Sequence, residues 1–158
     1  MPPPAARKCL GHLGVWKADL TAWLPWACCT HGHVSAGIGV ETARALASAG
    51  ADVVITSRDV AVGERVAAGI QAAGAKGKVT VKQLDLADVV NVEAFAEDVA
   101  ASLGRIDYLI LNAGVMATPL WRTKDGFEMQ TGTNHLGHFQ LLQQLLPKLR
   151  GQVGCGDG

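Results

Sequence analysis

From Gly39 to Leu149 the apolar residues repeatedly change period, and that alternation restricts the fold more than any other feature of the chain. VETARALASAG sets Val40, Ala43, Leu46 and Ala47 on one helical face, with Gly50 as terminator. ADVVITS follows, a β-branched run of the kind that fills a buried parallel strand. RDVAVGERVAAGIQAAG returns to helical spacing through Val62, Val66 and Ile70, starting near Asp59 and ending at Gly74. KVTVKQLDL alternates as a strand, and DVVNVEAFAEDVAASLG is an amphipathic helix. Asp88 is its expected N-cap, and Val92, Phe95, Val99 and Leu103 face inward.

RIDYLILNAG is a continuous apolar strand closed by Asn-Ala-Gly. Asp125 and Glu128 then have the spacing of a capping box before a long helix, from about Phe127 towards Leu149. Its expected buried side carries Leu136, Phe139 and Leu142, while Gly132 and Gly137 weaken it, so packing has to hold it. Strands linked through helices by short connections pair in parallel and are covered on both faces. The expected fold is therefore α/β, a doubly wound parallel sheet.

The length of 158 residues suits one domain. Lys plus Arg and Asp plus Glu each number 14, so net charge is zero and neither nucleic acid nor an anionic membrane is an expected partner. No apolar run reaches the roughly 20 residues that span a bilayer. Residues 1–25 read as an irregular or disordered extension, 26–150 as the folded domain and 151–158 as a tail. The extension lacks a secretory h-region and cleavage site; its basic, acid-poor character leaves an organelle-targeting tail as the alternative. The compartment stays open between cytoplasm and organelle. Cys9, Cys28, Cys29 and Cys155 make no disulfide framework. Joined to His12, His31 and His33 they make a zinc-like pattern, but the adjacent cysteines fit ligand spacing poorly and no metal is expected.

Gly37-Ile38-Gly39 opens the first helix, where glycine lets a backbone approach a pyrophosphate and the free amides stabilise its charge. Two glycines in a turn can equally mean only a turn. Arg58 ends the next strand, where a basic residue accommodates the extra phosphate of NADP and an acidic one would hold the ribose of NAD. The alternative for Arg58 is a solvated charge at a strand end.

GIGVETARALASAGADVVITSRD, KVTVKQLDLAD, DYLILNAGVM and KDGFEMQTGTNHLGHFQLL together resemble the short-chain dehydrogenase/reductase family. The similarity is greatest to its retinol-dehydrogenase-like branch, which is itself similar to light-dependent protochlorophyllide reductases over NHLGHF. It implies an NADP-dependent oxidoreductase of Rossmann-like fold that moves hydride between the dinucleotide and a small lipophilic alcohol or carbonyl substrate. By that resemblance Gly37 and Gly39, flanking Ile38, are the last two glycines of the phosphate loop. Arg58, with Ser57 beside it, selects NADP(H) over NAD(H). Asp85 and Leu86 flank the adenine, and Asn112, Ala113 and Gly114 support the sheet and line the ribose. Asn134 is the helix asparagine that organises a water of the proton relay. His135 and His138 are packing or helix-face residues.

Two departures from the family pattern shape the expectation. Its first loop positions fall on Gly32 and His33, after a strand that would come from Trp26–Thr30, an irregular stand-in for a central strand. The Ser and Tyr-x-x-x-Lys that follow the asparagine helix have no counterpart: Tyr108 lies upstream of Asn134 and is followed four residues later by Asn112. The sheet is thus expected to be incomplete, with C-terminal strands missing, and the chain as written truncated and inactive in turnover. The alternatives are a non-catalytic dinucleotide-binding or regulatory module that pairs with full-length relatives through its long helix, and an unstable fragment; a homo-oligomer stays open as a partner.

Overall fold

The structure, a computed structural model, describes residues 26–30 and 37–149. The expectations for the N-terminal extension, the 151–158 tail, Gly32 and His33, and the Cys9–His12 pair lie outside the described residues. In chain order the elements are β1 (Trp26–Thr30), α1 (Ile38–Ala49), β2 (Asp52–Ser57), α2 (Val60–Ala72), β3 (Val79–Gln83), α3 (Val89–Ser102) and β4 (Tyr108–Leu111). A last helical stretch follows as α4 (Met129–Thr131), a π-helical segment (Gly132–Gly137) and α5 (His138–Leu145), closed by a 3-10 turn (Leu146–Lys148).

The strands form one parallel sheet in the order β3-β2-β1-β4. That is one half of the doubly wound order, with its switch point between β1 and β4. Strands that would complete the far side are not among those described. Leu149 does make a parallel bridge to Ile106, whose N–H donates to the Lys148 carbonyl at 2.8 Å, so the chain returns alongside β4. The irregularity expected of β1 is one of composition and not of pairing. Ala27–Cys29 register against Val53–Ile55 on one side and Tyr108–Ile110 on the other.

Alternation along β2 feeds two cores. Val53 and Ile55 pack with Ala43, Ala47, Ala67 and Ile70 under α1 and α2. Val54 turns to the opposite face, where Val92, Phe95, Val99, Leu141 and Leu145 join α3 to α5. Helix ends are held as their residue types dictate. Gly50 terminates α1 at φ 102. Asp59 accepts from Ala61 and Val62 N–H at 2.9 and 3.3 Å, and Asp88 from Val90 and Asn91 at 3.1 and 3.3 Å.

Two expectations fail on the last helix. No capping box forms between Asp125 and Glu128. The chain turns at Gly126, φ 87, which sends the Asp125 carboxylate to the Val89 N–H at 3.0 Å, and Glu128 alone caps α4 by accepting from Gln130 and Thr131 at 2.8 Å each. The buried face also differs. Phe139 is 54% exposed and Leu136 and Leu142 are half-buried, whereas Thr133, Gly137, Leu141 and Leu145 form the row against the sheet and α3. The aliphatic pattern marks a neighbouring row because the true one begins with small residues. At Gly137 a Cβ would meet the Leu86 carbonyl oxygen, so only glycine lets this helix approach so closely.

Candidate functional site

Parallel strands deliver their C-terminal ends to one edge of the sheet, and the residues singled out in the sequence follow those ends: Gly37 after β1, Arg58 after β2, Asp85 after β3 and Asn112 after β4. A cleft of about 260 Å³ opens there. One wall is the loop Leu84–Asp88 between β3 and α3. The floor is Thr56 with Arg58 at the end of β2, and Ala113, Gly114 and Val115 after β4. Thr123, Lys124, Met129 and Thr133 complete the lining. Of the sequence candidates, Arg58, Asp85, Leu86, Ala113 and Gly114 therefore share the cleft.

The remaining candidates lie beside it. Gly37 takes φ 146 at the N-cap of α1 and leaves the first-turn amides without a side-chain cap; Ile38 is exposed and Gly39 buried. Ser57 is buried and its hydroxyl donates to the Asp59 carbonyl at 2.7 Å, which fixes the turn carrying Arg58. Asn112 is exposed beyond β4. Asn134 sits within the π segment, and its carboxamide takes both main-chain groups of Val115: Oδ1 accepts from the N–H and Nδ2 donates to the carbonyl, each at 2.8 Å. The π turn, a device that re-aims side chains, thus clamps the loop after β4 to the helix. His138 approaches the Asn134 carbonyl through Nδ1 at 3.0 Å, and burial pushes its pKa down. His135 is exposed and stacks on Phe139. Among the described residues no group of His, Cys, Asp or Glu could hold a metal ion.

The acidic loop is organised from within. Asp85 receives its own loop's Ala87 N–H at 3.0 Å, and the Asn91 side chain accepts from its main-chain N–H at 2.6 Å. Asp88 is paired with Lys124 at 2.7 Å; that bond is the main reason its carboxyl lies below its ordinary pKa and the ammonium above its own. Sequence reasoning missed Lys124, Thr123, Met129 and Thr133. Lys124, Met129 and Thr133 fall within the KDGFEMQTGTNHLGHFQLL segment and Thr123 just before it, but their residue types alone do not point to a cleft, and Lys124 reads there as one more solvated loop charge. No described helix is long and apolar enough to cross a membrane.

A family description, short chain dehydrogenase, matches residues 31–155. Retinol dehydrogenase 11 of Mus musculus is 51% identical over 114 residues, covering 72% of this chain and 36% of the relative. The Homo sapiens protein of the same name is 44% identical over 150 residues, 95% of this chain and 46% of the relative. The chain thus spans less than half the length of both. A metagenomic short-chain oxidoreductase crystallised in complex with NADP is 33% identical and superposes with a TM-score of 0.65, over 83% of this chain and 58% of that one.

Proposed function

The chain belongs to the short-chain dehydrogenase family, and on that premise we propose that its cleft binds the adenosine half of NADP(H) for an oxidoreductase acting on small lipophilic alcohols or carbonyls. The observation that carries this reading is the convergence of Arg58, Asp85, Leu86, Ala113 and Gly114 on one cleft at the C-terminal edge of a parallel sheet. A guanidinium at the end of β2 is suited to a ribose 2′-phosphate. The apolar Leu86 and Ala113 suit the faces of a purine, and the Asp85 carboxylate its exocyclic amine. The pyrophosphate would lie towards the α1 amides at Gly37–Gly39. When bound, the nicotinamide supplies the hydride chemistry. The chain's own residues bind and orient the nucleotide, while Asn134 fixes the loop on which Gly114 and Val115 stand. The relative crystallised with NADP supports the choice of cofactor.

A second reading, a dinucleotide-binding module without turnover, is favoured by one observation. Within these 158 residues the sole tyrosine, Tyr108, sits half-exposed on β4 with asparagine four residues on, so this stretch by itself holds no Tyr-x-x-x-Lys. Titration calorimetry tests the cofactor assignment, and an NADPH-oxidation assay separates the two readings. Wild type should bind NADPH at least about tenfold more tightly than NADH, and Arg58→Ala should remove that preference while leaving NADH binding in place. Equal affinity for the two in wild type would sink the assignment of Arg58.

A further inference from the structure

We propose that Lys124 is a positioning residue for the nucleotide: by pairing with Asp88 it straps the turn before the asparagine helix to the start of α3 and so fixes the width of the cleft. The inference rests on the dinucleotide reading above and adds to it a residue to which that reading gives no role.

The Leu84–Asp88 loop and the Thr123–Lys124 turn both line the cleft, are far apart in sequence, and neither belongs to the sheet. Between them run cross-links that span 36 residues or more. The Lys124 N–H donates to the Ala87 carbonyl at 3.1 Å, the Lys124 ammonium to Asp88 Oδ2 at 2.7 Å, and the Val89 N–H to Asp125 Oδ2 at 3.0 Å. The turn they hold is stiff in itself. Thr123 N–H donates to the Phe127 carbonyl at 2.8 Å, Gly126 N–H to the Thr123 carbonyl at 3.0 Å, and Phe127 N–H to the Thr123 hydroxyl at 3.2 Å. The turn is thus cross-linked within itself, and the links at Lys124 and Asp125 join it to Ala87, Asp88 and Val89. Asp88 uses its other oxygen to cap α3, so the same carboxylate ties helix, wall and strap together.

A purine is a rigid plate. It is held well only when both walls stand at the right separation before it arrives, because ordering them on binding subtracts from affinity. The strap acts on the base, which NADP and NAD share, whereas Arg58 is placed for the 2′-phosphate that distinguishes them. The two residues should therefore leave different signatures. The Lys124 side chain is 71% exposed and that of Asp88 17%, so the pair is partly screened and its loss should be modest.

The test is a calorimetric comparison of NADP⁺ and NAD⁺ binding to the 158-residue chain in wild type, Lys124→Met, Lys124→Arg and Asp88→Ser, the last keeping an N-cap while deleting the charge. The expected result for Lys124→Met and Asp88→Ser is a Kd raised about three- to fivefold for both dinucleotides, with their ratio unchanged. Lys124→Arg should restore most of the affinity, and Tm should stay within about 2 °C of wild type. Wild-type affinity in Lys124→Met overturns the strap and leaves the dinucleotide reading standing. So does a loss confined to NADP⁺, which would make Lys124 a phosphate ligand. A wild type that binds neither dinucleotide overturns the dinucleotide reading, and the strap's role with it.

Discussion

Replacing Gly137 by alanine sets two effects of opposite sign against each other. Inside a helix alanine is favoured over glycine by about 1 kcal/mol, and propensity alone predicts a more stable protein. At this position the new Cβ would lie 3.0 Å from Leu86 Cβ and 3.1 Å from the Leu86 carbonyl carbon, and closer still to its oxygen. Overpacking of that kind costs about 1–3 kcal/mol, and here the obstacle is main chain in the cleft wall, which cannot rotate away. With main chain as the obstacle the cost should sit in the upper part of that range, for a net loss of up to about 2 kcal/mol and a fall in Tm of up to roughly 8 °C for a domain of this size. Gly69 is the internal control: it lies within α2, is exposed, and has nothing within 4 Å of an added Cβ. Gly69→Ala should therefore stabilise by about 0.5–1 kcal/mol. The assay is urea unfolding followed by circular dichroism, with NADPH affinity measured on both variants. Gly137→Ala should also bind more weakly, since Leu86 must shift. If both variants prove more stable by the same amount, the close approach of the last helix to the β3–α3 loop is refuted.

Asn134→Ala removes both bonds to Val115 and should cost about 1–2 kcal/mol of stability, whereas Asn134→Asp keeps only the acceptor and should lie between; unfolding curves of the three proteins decide. Asp88 and Glu128 have carboxyls held below their ordinary values of 3.8 and 4.5, Asp88 mainly by Lys124 and Glu128 by the α4 amides. The unfolded chain binds their protons first as pH falls, so the stability they give is complete above about pH 4.5 and is lost below it. Glu128→Gln should flatten that acid limb in a pH series of unfolding midpoints. His138 is held below 6.5 by burial, so the unfolded chain protonates first and stability should begin to drop on acidification through pH 6.5. His138→Gln should remove the slope between that pH and the carboxylate range. With NADPH and a lipophilic aldehyde, the 158-residue chain should bind the nucleotide without turnover; steady oxidation of NADPH would contradict the second reading of function.

Much of this fold was legible because local and tertiary demands agree. Val92, Phe95, Val99 and Leu103 face inward as their spacing requires, and Asp59 and Asp88 cap the helices they precede. The last helix was misread because its contact row starts with Thr133 and Gly137. Close approach there selects small residues, and the pattern of large apolar side chains points to a different row. Asp125 was misassigned because a carboxylate three residues before Glu128 looks local, while its partner, the Val89 N–H, lies 36 residues away. Lys124 escaped for the same reason. An exposed lysine in a polar turn acquires meaning only once Asp88 is brought opposite it. The glycine turn and Arg58 could be placed from sequence because strand ends in a parallel sheet share one edge, which is a property of topology and not of any single contact.

Titrating NADP⁺ into the ¹⁵N-labelled chain and following the backbone amides decides whether this edge holds the adenosine half of NADP(H). Saturable shifts are expected, confined to Gly37–Gly39, Arg58, Asp85–Leu86, Asn112–Gly114 and Lys124, with the Arg58 shift much reduced when NAD⁺ is used. No shifts at millimolar NADP⁺, or shifts that map away from the C-terminal ends of β1–β4, would contradict it.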